Sequence, residues 1–378
     1  MNLIYINENF TKEPLKQGAL TDYLFAVKDV FAIEGHTNSA GNPDWLRTHE
    51  VEVVTAPVIQ KLLVNGAMLK GLTHTDELMY SLNGENMHYG TPPNPLNSNY
   101  IPGGSSSGSA SAAVERDFTI GTDTGGSIRV PSSYCGLYGI RPTHNAITLD
   151  GVIPLAPSFD TVGWMSTSSR ILKQVGDVLL NGDIVNFKNV YVDQQAWDFL
   201  SVEDRELLQG ALGEIPYKTK QITEPLASWA TLFREIQGIE IWQTHGHWVT
   251  STKPTFASAI AERFRWASTL DATRYNTLKI EQQRITTYLK QQLGTDEVLV
   301  LPTTASVAPR KNAPLDEVEA VRTKTMQLTC IAGLAGLPQI TVPVLREDGL
   351  ALGLSFVANS GQDRSLLHFV DTYFGDTK

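Results

Sequence analysis

Cysteine is nearly missing from this chain of 378 residues. Cys135 and Cys330 alone cannot build a disulfide framework or a cysteine-rich zinc site. Basic clusters are missing as well. The 30 Lys and Arg stand against 40 Asp and Glu, a formal charge of −10, and no basic run offers the phosphate contacts that nucleic-acid binding requires. Long apolar runs are also lacking: the most apolar stretch, 328–344, is interrupted by Gly333, Gly336 and Pro338 and is too polar for a bilayer span. The N-terminal MNLIYINENF has no basic start followed by an apolar core, so no signal peptide is expected. With 42% hydrophobic and 19% charged residues the composition is that of a globular protein rather than a disordered one. A cytoplasmic location is expected.

Nucleotide and metal fingerprints are equally absent. The serine-rich loop near residue 105 lacks the G-K-[ST] ending of a P-loop and the G-x-G-x-x-G of a dinucleotide fold. The histidines form no H-E-x-x-H, and zinc needs three or four convergent ligands. His245-Gly246-His247 therefore reads as a structural pair.

What is present is an alternation of strand and helix signals, which predicts one α/β domain. Residues 24–31, LFAVKDVF, read as a short buried strand holding Lys28. A helix is predicted at about 57–65, with Thr55 as N-cap, Pro57 in the first turn and Gly66 at its end. Val58, Ile59, Leu62 and Leu63 lie on one face at helical spacing. Residues 90–108 are rich in Pro, Gly and Ser and read as loop. Small residues from Ser109 to about Arg116 suit a closely packed helix, followed by a brief strand at 118–121 and the Gly125-Gly126-Ser127 turn. Another helix is expected over 170–180. From about 185 to 293 the chain becomes mostly helical and rich in tryptophan, and reads as an insert. Strand composition returns at 298–302 and 339–345, and a last helix is expected from Asp363, as cap, to Tyr373.

Three features could carry chemistry. Gly104-Ser105-Ser106-Ser107-Gly108 fits G-x-S-x-G, which would make Ser106 the nucleophile of an α/β-hydrolase, with His368 in a triad. That elbow needs a buried strand before it, and Pro102 is a poor ending for one. Lys28, among Phe25, Ala26, Val27, Val30 and Phe31, could snorkel from a strand edge. If buried instead, desolvation lowers its pKa and offers a neutral amine as general base. Third, Gly121-Thr122-Asp123-Thr124-Gly125-Gly126-Ser127 places a serine behind paired glycines, whose successive N–H groups can converge on one point as an oxyanion hole requires. Cys135 lacks a His or Asn pattern and reads as a packing thiol.

PGGSSSGSASAA followed by GTDTGGSIRVPSSYCGLYGIRPTH resembles the amidase signature family, as do FAVKDVFAIEG around Lys28 and the C-terminal AGLPQITVP. NPDWLRTH, DELMYSLNGENMHYGTPPNP and VIPLAPSFDTVGW resemble in particular the branch with indole-3-acetamide hydrolases. The resemblance covers most of 20–180 and more loosely 298–370; the 185–293 insert carries no such motif. It implies one amidase-signature domain over 1–378, an α/β fold with a central mixed sheet covered by helices on both faces.

The same resemblance implies a Ser–cis-Ser–Lys triad. Ser127 would be the nucleophile, Ser105, after a cis peptide bond, the bridging serine, and Lys28 the terminal base. The backbone N–H groups of Thr124, Gly125, Gly126 and Ser127 would form the oxyanion hole. The reaction implied is hydrolysis of a small, aryl-acetic primary amide through an acyl-serine, by a monomer or homodimer without cofactor, metal, nucleic-acid or membrane partner. Alternatives are the amidase subunit of a glutamine-dependent amidotransferase, a urea- or carbamoyl-type hydrolase, and a non-catalytic binding module. Trp229, Phe233, Trp242, Trp248 and Trp266 could line a flat apolar pocket or simply pack the insert, the commoner fate of aromatics. Three departures from the family pattern stand out. Asn145 occupies a usual glycine position, and Ser132 replaces a small apolar residue. The segment holding Glu115-Arg116-Asp117 is about two residues short, which places the shortening in an outer turn.

Overall fold

Apolar runs too short for helices become the strands of one sheet. The computed structural model describes residues 3–375, and eleven strands are found among them. In chain order these are β1 (Tyr5–Lys12), β2 (Leu24–Lys28), β3 (Met68–Thr73), β4 (Phe118–Asp123), β5 (Tyr138–Arg141) and β6 (Thr161–Ser166), then β7 (Asn189–Asp193), β8 (Lys218–Lys220), β9 (Glu297–Pro302), β10 (Gln339–Leu345) and β11 (Ala351–Val357). Their spatial order is β1-β3-β2-β4-β6-β5-β10-β11-β9-β7-β8. The sheet is mixed: β2 runs parallel to both β3 and β4, whereas β4–β6 and β10–β11 are antiparallel.

Every residue of β4, β6 and β11 is buried, because helices cover both faces. The helices Ser107–Ala112 and Arg129–Cys135 pack on the sheet between β2 and β11, while Ser169–Leu179 and Asp363–Phe374 pack on each other and on β5, β6 and β10. A second helical layer, Leu226–Thr252, Ser258–Ser268 and Tyr275–Leu293, packs against the Leu315–Ala335 helix. The fold is thus a single α/β domain around a large mixed sheet.

Several boundaries differ from the sequence reading for local reasons. The helix at Pro57–Val64 is entered through Ala56, and the Thr55 hydroxyl instead accepts the N–H of Glu34. Asp363 lies inside the last helix rather than capping it, and its carboxylate accepts both the N–H and the hydroxyl of Thr143. β2 stops at Lys28, and Phe31 keeps a single bridge to Val152. The small-residue helix begins at Ser107 and ends at Ala112, leaving 113–117 as a turn in which Ala113 stays buried and 114–117 face solvent, where the shortening was expected to fall. Asn145 adopts φ of 65°, a conformation asparagine tolerates better than most residues. The 185–293 region is mostly helical, yet it also supplies β7 and β8, which extend the sheet in parallel beyond β9.

Candidate active site

Lys28 ends β2, and β2 runs beside β4 with Val27 opposite Ile120. That register sets the lysine against Thr122, whose hydroxyl lies 2.9 Å from Lys28 Nζ. Phe25 and Phe118, paired across the same strands, stack with ring centroids 5.2 Å apart and fix the approach. On its other side Lys28 Nζ lies 2.8 Å from Ser105 Oγ. Ser105 Oγ in turn lies 3.0 Å from Ser127 Oγ. The three side chains form one unbroken hydrogen-bonded row, and all three residues are buried.

Close backbone approach makes this row possible. Ser105 follows a cis Gly104–Ser105 peptide and precedes a helix of sequence SGSASA, every residue of which is buried. A side chain on Gly108 would run into the backbone of His74 and Ile4, so only glycine lets this helix sit so near β3. Ser127 follows β4 in a turn that takes Gly126 to φ of 133°, a region L side chains rarely adopt.

Burial lowers Lys28 to about 7, and the charges of Asp76, Asp123 and Asp160 only partly restore it. A neutral amine is therefore available near neutrality. Burial also raises the Asp123 carboxyl, but the guanidiniums of Arg129 and Arg141 reverse this and hold it well below the usual carboxylate range. Asp123 is the hub of the serine turn. It accepts from the N–H groups of Gly126 and Ile128, from Arg129 Nε at 3.0 Å and from Arg141 Nη1 at 2.9 Å. Arg129 Nη1 also reaches Thr329 O and Gln339 Oε1. Asp160 plays the parallel part for Thr124, accepting its hydroxyl at 2.6 Å.

Among the four amides expected to form the oxyanion hole, that of Gly126 is committed to Asp123 Oδ1 at 3.0 Å. Thr124, Gly125 and Ser127 instead line a cavity of about 30 Å³. Met79, Tyr80, Leu82, Leu155 and Met326 make its apolar wall, and Gln237, Arg263 and Arg322 its polar one. Arg263 donates to Tyr80 O and, with Arg322, to Glu319. None of the insert's tryptophans lines this cavity. Trp248 donates to Thr48 Oγ1 and packs on Trp45, Trp266 lies under Arg234, and Phe233 packs on Phe159.

The competing sequence candidates fall elsewhere. Ser106 Oγ donates to Thr122 O and is outside the row. His245 is buried with its Nε2 2.8 Å from Pro154 O, whereas His247 faces solvent. Among the described residues no group of His, Cys, Asp and Glu could hold a metal ion. Cys135 is buried, burial pushes its thiol up, and its sulfur contacts Pro102 O. The sequence reading missed Asp76, Thr122, Asp160, Gln237, Arg263 and Arg322. Asp76 and Asp160 border or lie within quoted motifs, but Arg263 comes from a segment without any.

A buried serine–amine row on a large mixed α/β sheet, with a glycine-rich turn at its head, defines a hydrolase-like site. Comparison with known proteins carries this further. The Amidase family profile matches residues 6–217 and 235–367. Amidase 1 of Arabidopsis thaliana is 37% identical over 94% of this chain and 93% of its own length. The translocon at the outer membrane of chloroplasts 64 of Pisum sativum is 31% identical over 94% of this chain and 66% of its own. A crystal structure of an amidase superposes with a TM-score of 0.84 at 24% identity, covering 94% of this chain and 84% of that one. The chain belongs to the amidase family, hydrolases of amide C–N bonds. Among the described residues no helix is long and apolar enough to cross a membrane.

Proposed function

We propose that this protein hydrolyses a small primary amide through an acyl-serine intermediate, with Ser127 as nucleophile, Ser105 as bridging hydroxyl and Lys28 as terminal base. The observation that carries this reading is the row from Ser127 Oγ to Ser105 Oγ to Lys28 Nζ, with steps of 3.0 and 2.8 Å. A serine hydroxyl is a weak nucleophile until a base takes its proton. Ser127 passes its proton to Ser105 as Ser105 passes its own to Lys28, and Ser127 Oγ bonds the amide carbon. The electron pair released onto the carbonyl oxygen meets the N–H groups of Thr124, Gly125 and Ser127. The C–N bond then breaks as the leaving nitrogen takes a proton back through Ser105, and water opens the acyl-serine by the same route.

The acyl group we assign is compact and aryl-acetic. The branch motifs at residues 42–49, 76–95 and 152–164 support it, as does the wall of Met79, Tyr80, Leu155 and Met326. Arg263 and Arg322 favour a second reading, in which the acyl group carries a carboxylate, as glutamine or a ureido acid does. We place the enzyme in the cytoplasm as a monomer or homodimer, where two buried free thiols suit a reducing compartment. Ammonia release from indole-3-acetamide, phenylacetamide, a short aliphatic amide, glutamine and a urea derivative tests these readings. Turnover of the aryl-acetamides, abolished in Ser127→Ala, is expected. Preferred turnover of glutamine or the urea derivative would transfer the assignment to the second reading.

A further inference from the structure

Lys28 is fully buried, yet the relay proposed above converts it into an ammonium ion each time Ser105 gives up its proton. A charge created in a dry interior is costly unless an opposite charge stands by. Three carboxylates act on Lys28: Asp76, Asp123 and Asp160. Asp123 is already saturated by Arg129 and Arg141. Asp160 is bound to the Thr124 hydroxyl and to the N–H groups of Leu155 and Ala156. Asp76 is also fully buried, and among the described residues it forms no salt bridge.

Asp76 is wrapped around Ser105. Its N–H donates to Ser105 O at 3.2 Å, and the neighbouring Thr75 hydroxyl donates to the same oxygen at 3.0 Å. Its carboxylate lies against Gly104, where any side chain would collide with it. The same carboxylate accepts the N–H of Gly84 at 2.9 Å and the hydroxyl of Ser107 at 3.2 Å. The other ionisable groups around it are Lys28 and Asp123, Arg263 from the Ser258–Ser268 helix, His74, which reaches the Ser107 hydroxyl at 3.4 Å, and Glu77, which turns away to Asn42 and the N–H of Ala257. Only Lys28 changes charge during the relay.

We propose that Asp76 is a positioning residue of that relay: its carboxylate is the counter-charge of the Lys28 ammonium, and its backbone holds Ser105 between Lys28 and Ser127. The inference rests on the serine–lysine reading above. It adds a residue that touches neither substrate nor the nucleophile.

The test uses the full chain and a probe independent of the natural substrate. Sulfonylation of Ser127 by phenylmethanesulfonyl fluoride is followed by mass between pH 5 and 9, in the parent, Asp76→Asn and Ser107→Ala. Removing the anion favours the neutral amine, so Asp76→Asn should shift the acid limb of the rate profile about one pH unit lower. It should also lower the plateau about tenfold or more, because the ammonium loses its partner. Ser107→Ala removes a hydrogen bond but no charge and should keep the parental midpoint. A parental midpoint in folded Asp76→Asn overturns the proposal, whatever its plateau. Should that variant not fold, Asp76→Glu replaces it: retention of the parental midpoint is expected, and a downward shift of about a unit overturns the proposal. Failure of the parent to be sulfonylated, or sulfonylation that survives Ser127→Ala, removes the serine–lysine reading itself, whereas an unmoved midpoint with Ser127-dependent labelling removes only the part of Asp76.

Discussion

At the scale of single residues, the proposed relay depends on an amine that is neutral near pH 7. Burial holds Lys28 at about 7 instead of the 10.5 of an exposed lysine. The base is therefore competent above about pH 7 and protonated below it, so kcat/KM should fall as the pH drops through 7, by about tenfold per unit at the low end. Lys28→Ala should abolish that limb together with at least about 99% of the rate, a loss measurable in the ammonia assay across pH 5 to 9. Ser106→Ala should keep most of the activity, because its hydroxyl serves only Thr122 O. The reverse pattern, with Ser106→Ala dead and Ser127→Ala active, would restore the nucleophile-elbow reading.

At the scale of elements, the serine turn is held by one carboxylate. Asp123 joins β4, the turn, the Arg129–Cys135 helix and β5 through Arg129 and Arg141, with all three side chains fully buried. Removing its charge leaves two guanidiniums without compensation, a loss of about 3–5 kcal/mol in comparable buried pairs. Asp123→Asn should lower the urea midpoint accordingly, and because an amide keeps only one acceptor oxygen for the N–H groups of Gly126, Ile128 and Arg129, the loosened turn should cost activity even where the variant is folded. Elements with continuous apolar composition were readable from sequence: the run at 339–345 is β10 residue for residue. β7 and β8 were not. NVYVD has two valines and a tyrosine among polar residues and KTK has no apolar residue at all; what makes β7 a strand is β9, about 100 residues further along, and what makes β8 one is β7. The same limit applies to the cavity. Its serine turn sits in a dense motif, whereas Gln237 and Arg263 reach it from helices whose sequence states only that they are helices.

At the scale of the whole molecule, a sheet this wide must end somewhere. One end is β8, where Lys218, Thr219 and Lys220 are all exposed beside β7. Charged side chains on an open edge discourage a second chain from pairing there. Lys220 also reaches Gln292 and lies over the Tyr191 ring, which ties the strand down. Lys218→Val with Lys220→Val should leave the active site untouched and raise aggregation on mild heating, read as light scattering against the parent. Equal scattering from both proteins would show that another feature protects this edge.

The strand order also sets a timetable. Lys28, Ser105 and Ser127 all lie at or before residue 127 of 378, but β5, already paired with β6, gains its second neighbour only when β10 arrives. Arg129 waits for the Thr329 carbonyl and for Gln339, and the cavity has no Met326 or Arg322 until the same late segment arrives. On the serine–lysine reading, a ribosome-bound chain of about 200 residues carries every group of the proposed relay without a chamber to use it in. On that reading Ser127 stays latent until the segment from Arg322 to Gln339 has folded onto it, so completing the fold and switching on the chemistry are a single event.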